Sequence, residues 1–204
     1  MSARPSAPAN ERNRQPILDV LRQEFRDVKS VLEIGSGTGQ HAVFFATRLT
    51  HLTWQTSDLQ ENHAGILSWL SDAALPNVHD PVVLDVMKSP WPSQIYDGVF
   101  SANTAHIMSF AAVKKMFELV DSVLSDGGVF LLYGPFRQGG EFNTQSNADF
   151  HASLRRRDAQ MGIRHLEDLD SLGETGGMRR VRLYALPANN HIAVWVKEGT
   201  RNER

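Results

Sequence analysis

One run, Val31-Leu32-Glu33-Ile34-Gly35-Ser36-Gly37-Thr38-Gly39-Gln40-His41, constrains the fold of this chain more than any other stretch. Val31 to Ile34 suit a buried strand, glycine takes alternate positions from Gly35 to Gly39, and an apolar helical pattern follows. Glycine stands where a chain turns sharply or where a ligand approaches the backbone itself. A strand that feeds such a loop and then a helix offers free backbone N–H groups and a positive helix end to a polar ligand. Glu33, two residues before the first glycine, has no obvious use in an anion-binding loop. It suits a ligand with a cationic end, and the run therefore points to a nucleoside carrying a positive charge.

The rest of the chain repeats the strand-then-helix alternation. Residues 1–15 hold two prolines, Pro5 and Pro8, with Arg4, Arg12 and Arg14, and read as an extended arm able to act as a lid. Pro16 opens a helix whose stripe is Ile17, Leu18, Val20, Leu21 and Phe25. Strands are expected at Val31–Ile34, Leu52–Ser57, Pro81–Leu84, Tyr96–Ser101 and Val129–Tyr133. Helices are expected over His41–Leu49, around Ile66–Leu70, over Val113–Leu124, over Phe150–Met161 and at Leu166–Leu172. Asp126-Gly127-Gly128 is the expected stop of the Val113–Leu124 helix. Val181–Leu186 and Ile192–Val196, joined by Pro187-Ala188-Asn189-Asn190-His191, predict an antiparallel hairpin. The outcome is an α/β fold, one domain over 16–198 with a polar tail at 199–204, and a mainly parallel sheet with one reversed strand.

Ligands of open α/β sheets gather outside the carboxyl ends of the strands. Those ends carry Glu33 and the glycine loop, Asp58, Asp85, Asn103 with His106, and Tyr133-Gly134-Pro135-Phe136. Asp58 is placed to accept from two ribose hydroxyls. Asp85 is placed to accept from an adenine amine while the Val86 amide donates to a ring nitrogen.

Composition narrows the function classes. The 204 residues are 41% hydrophobic and carry a net charge of −2, so no electrostatic footprint for nucleic acid or an anionic membrane surface is present. There is no cysteine, which removes disulfides and thiolate chemistry, and no metal site is expected. No apolar stretch is long enough to span a bilayer. The polar start is not a secretory signal, and the cytoplasm is the expected compartment.

From Val31 to Val196 the chain resembles a class I S-adenosylmethionine-dependent methyltransferase. Within that class it is similar to a small, functionally uncharacterised methyltransferase-like family. The residues carrying the closer resemblance are Pro8-Ala9 with Glu11-Arg12-Asn13 and Pro16-Ile17, Gly37-Thr38-Gly39-Gln40-His41-Ala42, Trp54-Gln55 with Ser57-Asp58, and Ala102-Asn103 with His106-Ile107. Tyr133-Gly134-Pro135-Phe136, Ser146-Asn147-Ala148 with Phe150, and Pro187-Ala188-Asn189-Asn190 complete it. The chain departs from the family pattern at His151 and Ala159, outside the cofactor positions.

The resemblance implies a Rossmann-like class I methyltransferase fold: a seven-stranded, mainly parallel sheet with an antiparallel C-terminal hairpin strand and helices on both faces. It implies S-adenosylmethionine as cofactor and S-adenosylhomocysteine as product. Glu33, Gly35, Gly37 and Gly39 then hold the methionine end, Asp58 the ribose, and Asp85 with Val86 the adenine. Asn103, also near the cofactor, lies with His106 and Tyr133 at the transferable methyl, and His106 orients or deprotonates the acceptor. Arg12, Asn13 and Phe136 belong to the substrate side and lid. A small-molecule acceptor is expected first and a protein side chain second, with oligomeric state open.

Other readings are weighed beside this one. A dinucleotide fingerprint needs a third glycine or alanine, but Gln40 stands there, which disfavours a nicotinamide-dependent oxidoreductase. A regulatory protein that binds S-adenosylmethionine without catalysis is the alternative function. Arg155-Arg156-Arg157 reads as a solvated helix face, and His41 and His63 as packing or surface residues.

Overall fold

A computed structural model describes residues 6–88 and 90–199; the expectations for residues 1–5 of the arm and 200–204 of the tail lie outside the described residues. β1 (Ser30–Ile34), β2 (Thr53–Asp58), β3 (Val78–Val83), β4 (Tyr96–Ala102) and β5 (Leu124–Gly134) run parallel. A short parallel ribbon pairs β6 (Phe136–Arg137) with β7 (Arg164–His165). β8 (Met178–Leu186) and β9 (Asn190–Lys197) form the expected hairpin, and β9 lies antiparallel to both β5 and β8. The main sheet has the order β3-β2-β1-β4-β5-β9-β8. It is the seven-stranded, mainly parallel sheet with one reversed strand that the sequence predicts.

Helices α1 (Pro8–Glu24) and α2 (Gln40–Ala46) cover one face of the sheet. α4 (Phe110–Val123) and α6 (Leu166–Thr175) cover the other, while α3 (His63–Ala73) packs on β3 and α5 (Gln145–Arg157) lies between β6 and β7 in the chain. Along β5, Phe130 and Leu132 join the α4 layer while Leu131 and Tyr133 join the α1 layer. Burial on both faces makes this stretch an unbroken apolar run instead of an alternation. On the α1 side Phe45 meets Phe100 edge to face at 5.7 Å; on the α4 side Phe117 meets Trp195 likewise at 5.4 Å. All four rings are fully buried, and each contributes about 1.5–3 kcal/mol by leaving water.

Three local expectations are corrected. The segment read as an extended arm is helical from Pro8, so Pro16 lies inside a 17-residue helix and does not open it. A proline there removes one backbone bond. The helix persists because Ile17, Leu18 and Leu21 are fully buried below Pro16, while side chains of α2 grip the turns above it. α4 ends at Val123 with Leu124 already extended; Gly127 (φ 75°) turns the chain four residues later, between the pairings Tyr96–Leu124 and Gly98–Val129. Finally, the described residues between β3 and β4 form no helix.

Candidate active site

Where β1, β2 and β4 end, a cavity of about 790 Å³ opens. Its walls are the loop from Ile34 to Thr38, His41, Asp58 to Leu59, Leu84 to Met87, and Ala102 to Thr104 with Ile107 and Met108. Backbone conformation explains the glycines. Gly35 has φ 76°, and a Cβ there would stand 2.7 Å from the Thr104 side chain; Gly39, at φ 86°, would press on the Ile66 backbone at 3.1 Å. No larger residue keeps this loop so close to α3 and β4.

Asp58 anchors the loop. One carboxylate oxygen accepts from the Gly37 amide at 2.6 Å, and the other accepts from the Leu59 amide and the Asn62 side chain, each at 2.7 Å. A carboxylate offers about four acceptor sites, so three are occupied and one stays free for a further donor. Asp85 stands at the opposite rim. A bond from exposed Lys88 and the Met87 amide hold its carboxyl below the usual carboxylate range, leaving it anionic. Val86 lines the same wall.

Glu33 is 1% exposed and is not among the cavity-lining residues. Its carboxylate accepts from Ser36 Oγ at 2.8 Å and from Trp54 Nε1 at 3.1 Å. Burial raises its pKa to about 7, against the opposing pull of those two donors. It therefore reaches the cavity through Ser36, which does line it.

Gln40 and His41 do more than the sequence reading assigns them. Gln40 Oε1 accepts from the Ala7 amide at 2.6 Å, and its Nε2 donates to Glu11 at 3.3 Å. His41 is buried, stacks on Phe45 at 5.0 Å, and meets the Asn13 side chain at 2.8 Å. Burial lowers its pKa to about 4, against a bond to the Asn10 backbone, so the ring is neutral. The residues after the glycines thus clamp the first turns of α1 over the cavity. The signal available in the sequence was the pair of polar side chains opening an otherwise apolar helix.

A second, smaller cavity of about 240 Å³ adjoins the first. Ala9, Arg12, Asn13 and Pro16 form one stripe of α1 above it, Tyr133 and Asn103 stand at the strand ends, and Leu186 to Ala188 with Asn190 supply the hairpin turn. Asn103 lines both cavities. Its φ of 60° is tolerated by asparagine, and its amide donates to the Tyr133 carbonyl at 2.9 Å. Burial raises the Tyr133 phenol above its ordinary value, with a bond from Asn13 opposing the shift.

The structure brings Asn103, Tyr133, Arg12 and Asn13 together and leaves His106 and Phe136 apart. Tyr133 points to the α1 layer, so the next residue, Gly134, faces the other way, 3.6 Å from His106 Nδ1 by way of an added Cβ. His106 lines neither cavity; it lies edge-on to Phe150 at 5.4 Å, and burial followed by the Arg164 charge lowers its pKa to about 4. Phe136 is 2% exposed in the α4 core. Arg155, Arg156 and Arg157 are exposed in the last turn of α5, where the helix dipole favours cations. Among the described residues no three His, Asp or Glu side chains are grouped to hold a metal ion, and no helix is long and apolar enough to cross a membrane.

A family model described as "Protein of unknown function (DUF938)" matches residues 4–197. Among solved structures, the chain superposes on an O-methyltransferase family protein from Burkholderia thailandensis with a TM-score of 0.82 at 14% identity, covering 94% of this chain and 58% of that one. It superposes on human N-acetylserotonin methyltransferase, determined in complex with SAM, with a TM-score of 0.79 at 14% identity, covering 94% and 53%. For PigF, determined with SAH, the TM-score is 0.77 at 15% identity, with 92% and 56% covered. These likenesses show a Rossmann-like class I methyltransferase fold. The chain spans just over half the length of these structures.

Proposed function

The chain belongs to the family of unknown function DUF938, and on the chemistry of its two joined cavities we propose that it is an S-adenosylmethionine-dependent methyltransferase acting on a small molecule. One observation carries the reading: Asn103 lines both the larger cavity, read as the nucleoside site, and the smaller chamber beside it, read as the acceptor site. The first cavity, about 790 Å³, falls in the range of small-molecule sites. Its glycine loop admits a ligand to the backbone, the free acceptor site of Asp58 meets a ribose hydroxyl, and Asp85 with the Val86 amide meets adenine. Solved neighbours of the same fold carry SAM or SAH, which supports the choice of cofactor.

A bound sulfonium cofactor supplies an electrophilic methyl group whose leaving group departs uncharged. The chain then has to align and to exclude water. Asn103 holds the boundary between the cavities, Tyr133 and Asn13 orient the acceptor, and α1 covers both. Tyr133 stays protonated, and among the described residues lining the chamber no other side chain takes up a proton near neutral pH. The acceptor atom therefore attacks with an existing lone pair, and any proton it carries passes to solvent afterwards. His106, outside both cavities, is given no proton transfer in this scheme.

Calorimetry with S-adenosylmethionine and S-adenosylhomocysteine tests the cofactor, on wild type and Asp58→Ala. Wild type binds both, and the variant binds at least about tenfold more weakly, since it loses both a ribose acceptor and the Gly37 anchor. Absence of binding by wild type overturns the reading. Tight binding with no cofactor consumption in any cell extract favours the non-catalytic regulator.

A further inference from the structure

Resting on that reading, we propose that the acceptor is a compact organic monoacid whose carboxylate docks on Arg12 while its other end reaches Asn103 and Tyr133. Among the arginines of α1, Arg14 pairs with Glu11 at 2.7 Å and Arg22 with Asp19 at 3.6 Å. Arg12 forms no ion pair with any described residue. Helix spacing gives the reason: the positions three and four before and after it are Ala9, Pro8, Gln15 and Pro16, none of them acidic. Among the described residues that line its chamber there is no carboxylate. Asn13, Asn103, Asn190 and the Tyr133 phenol supply neutral polar contacts, and the alanine, proline and leucine side chains supply an apolar floor. A concave space with one uncompensated cation concentrates an anion.

Charge and size then select the ligand class. A guanidinium takes a single carboxylate through two parallel bonds and neutralises one charge. A phosphate dianion would keep excess negative charge, with no second cation among the described residues of the lining. A protein lysine or arginine would be repelled by Arg12. A volume of about 240 Å³ equals roughly eight waters of liquid, which limits the acceptor to small acids.

The test is ligand-observed NMR on protein saturated with S-adenosylhomocysteine, whose binding is first measured on its own. Benzoate, hexanoate and isovalerate are compared, each with its neutral amide and its phosphonate analogue. At least one carboxylate is expected to bind about tenfold or more tightly than both partners. Arg12→Gln abolishes that preference, Arg12→Lys retains part of it, and both melt with wild type because Arg12 is exposed. Ala9→Trp, which fills the chamber, removes all three acids. No carboxylate preference, a preference that survives in Arg12→Gln, or a phosphonate that wins overturns the proposal. Failure to bind S-adenosylhomocysteine instead overturns the methyltransferase reading beneath it.

Discussion

Burial works against ionisation at Glu33, whose pKa is raised to about 7 in the fold. The folded chain holds that proton more tightly than the unfolded chain, so the contribution to stability is complete below about pH 4.5. It is lost as pH rises through 7, at a cost of about 3 kcal/mol. His41 and His106, both lowered to about 4, run the other way: their contribution is present above about 6.5 and lost as pH falls. The difference between Glu33→Gln and wild type isolates the carboxylate. Urea unfolding is expected to favour the variant by up to about 3 kcal/mol at pH 8, with no difference at pH 4; parallel curves would exclude an ionised buried carboxylate. Ala188 offers a second readout. Its φ of 59° suits glycine better than alanine, so Ala188→Gly should gain roughly 0.5–1 kcal/mol in thermal unfolding, and a loss would mean the turn is unstrained. The acidic type of Glu33 was legible in the sequence, but its direction was not. A strand alternates faces, and only the partner at Trp54 shows that this carboxylate turns inward.

Pro16 divides α1 into two parts held by different forces. Below it Ile17, Leu18 and Leu21 are rooted in the core; above it Ala7, Glu11 and Asn13 are held by polar bonds to Gln40 and His41. Gln40→Ala removes two of those bonds at about 1–2 kcal/mol. Amide exchange over residues 10–15 should quicken about 5–30-fold while residues 20–24 keep their protection; uniform quickening of the helix would refute the division. The prolines made the first turns look like an extended arm, because local propensity counts the missing N–H and cannot see partners nearly thirty residues away. The strands were more legible. Each is marked by its own apolar run, and β5 pairs residue for residue with β9 over Val129–Gly134.

Under the proposed function, cofactor binding is expected to stabilise the entire fold, because the glycine loop, β2 and α1 all wall the larger cavity. At one hundred times its dissociation constant, S-adenosylhomocysteine adds about 2.7 kcal/mol. That raises the melting temperature by about 2–4 °C per kcal/mol for a chain of this size, and an unshifted melt at saturation would contradict it. The reversal of β9 has a further consequence. Because that strand runs against the sheet, it carries the turn at Pro187–Asn190 to the same end as the glycine loop, opposite α1. Arg182 and Tyr184 then reach back to Glu24, closing contacts across 158 and 160 positions. α1 and the hairpin thus meet twice, at the C-terminal end of the helix through Glu24 and around the smaller chamber through Arg12, Asn13 and Pro16. On the ribosome, a nascent chain that has emerged only as far as β5 already carries the strand ends that wall the larger cavity. The smaller chamber takes shape only once the β8–β9 hairpin has followed, because Leu186 to Ala188 and Asn190 make up one of its walls.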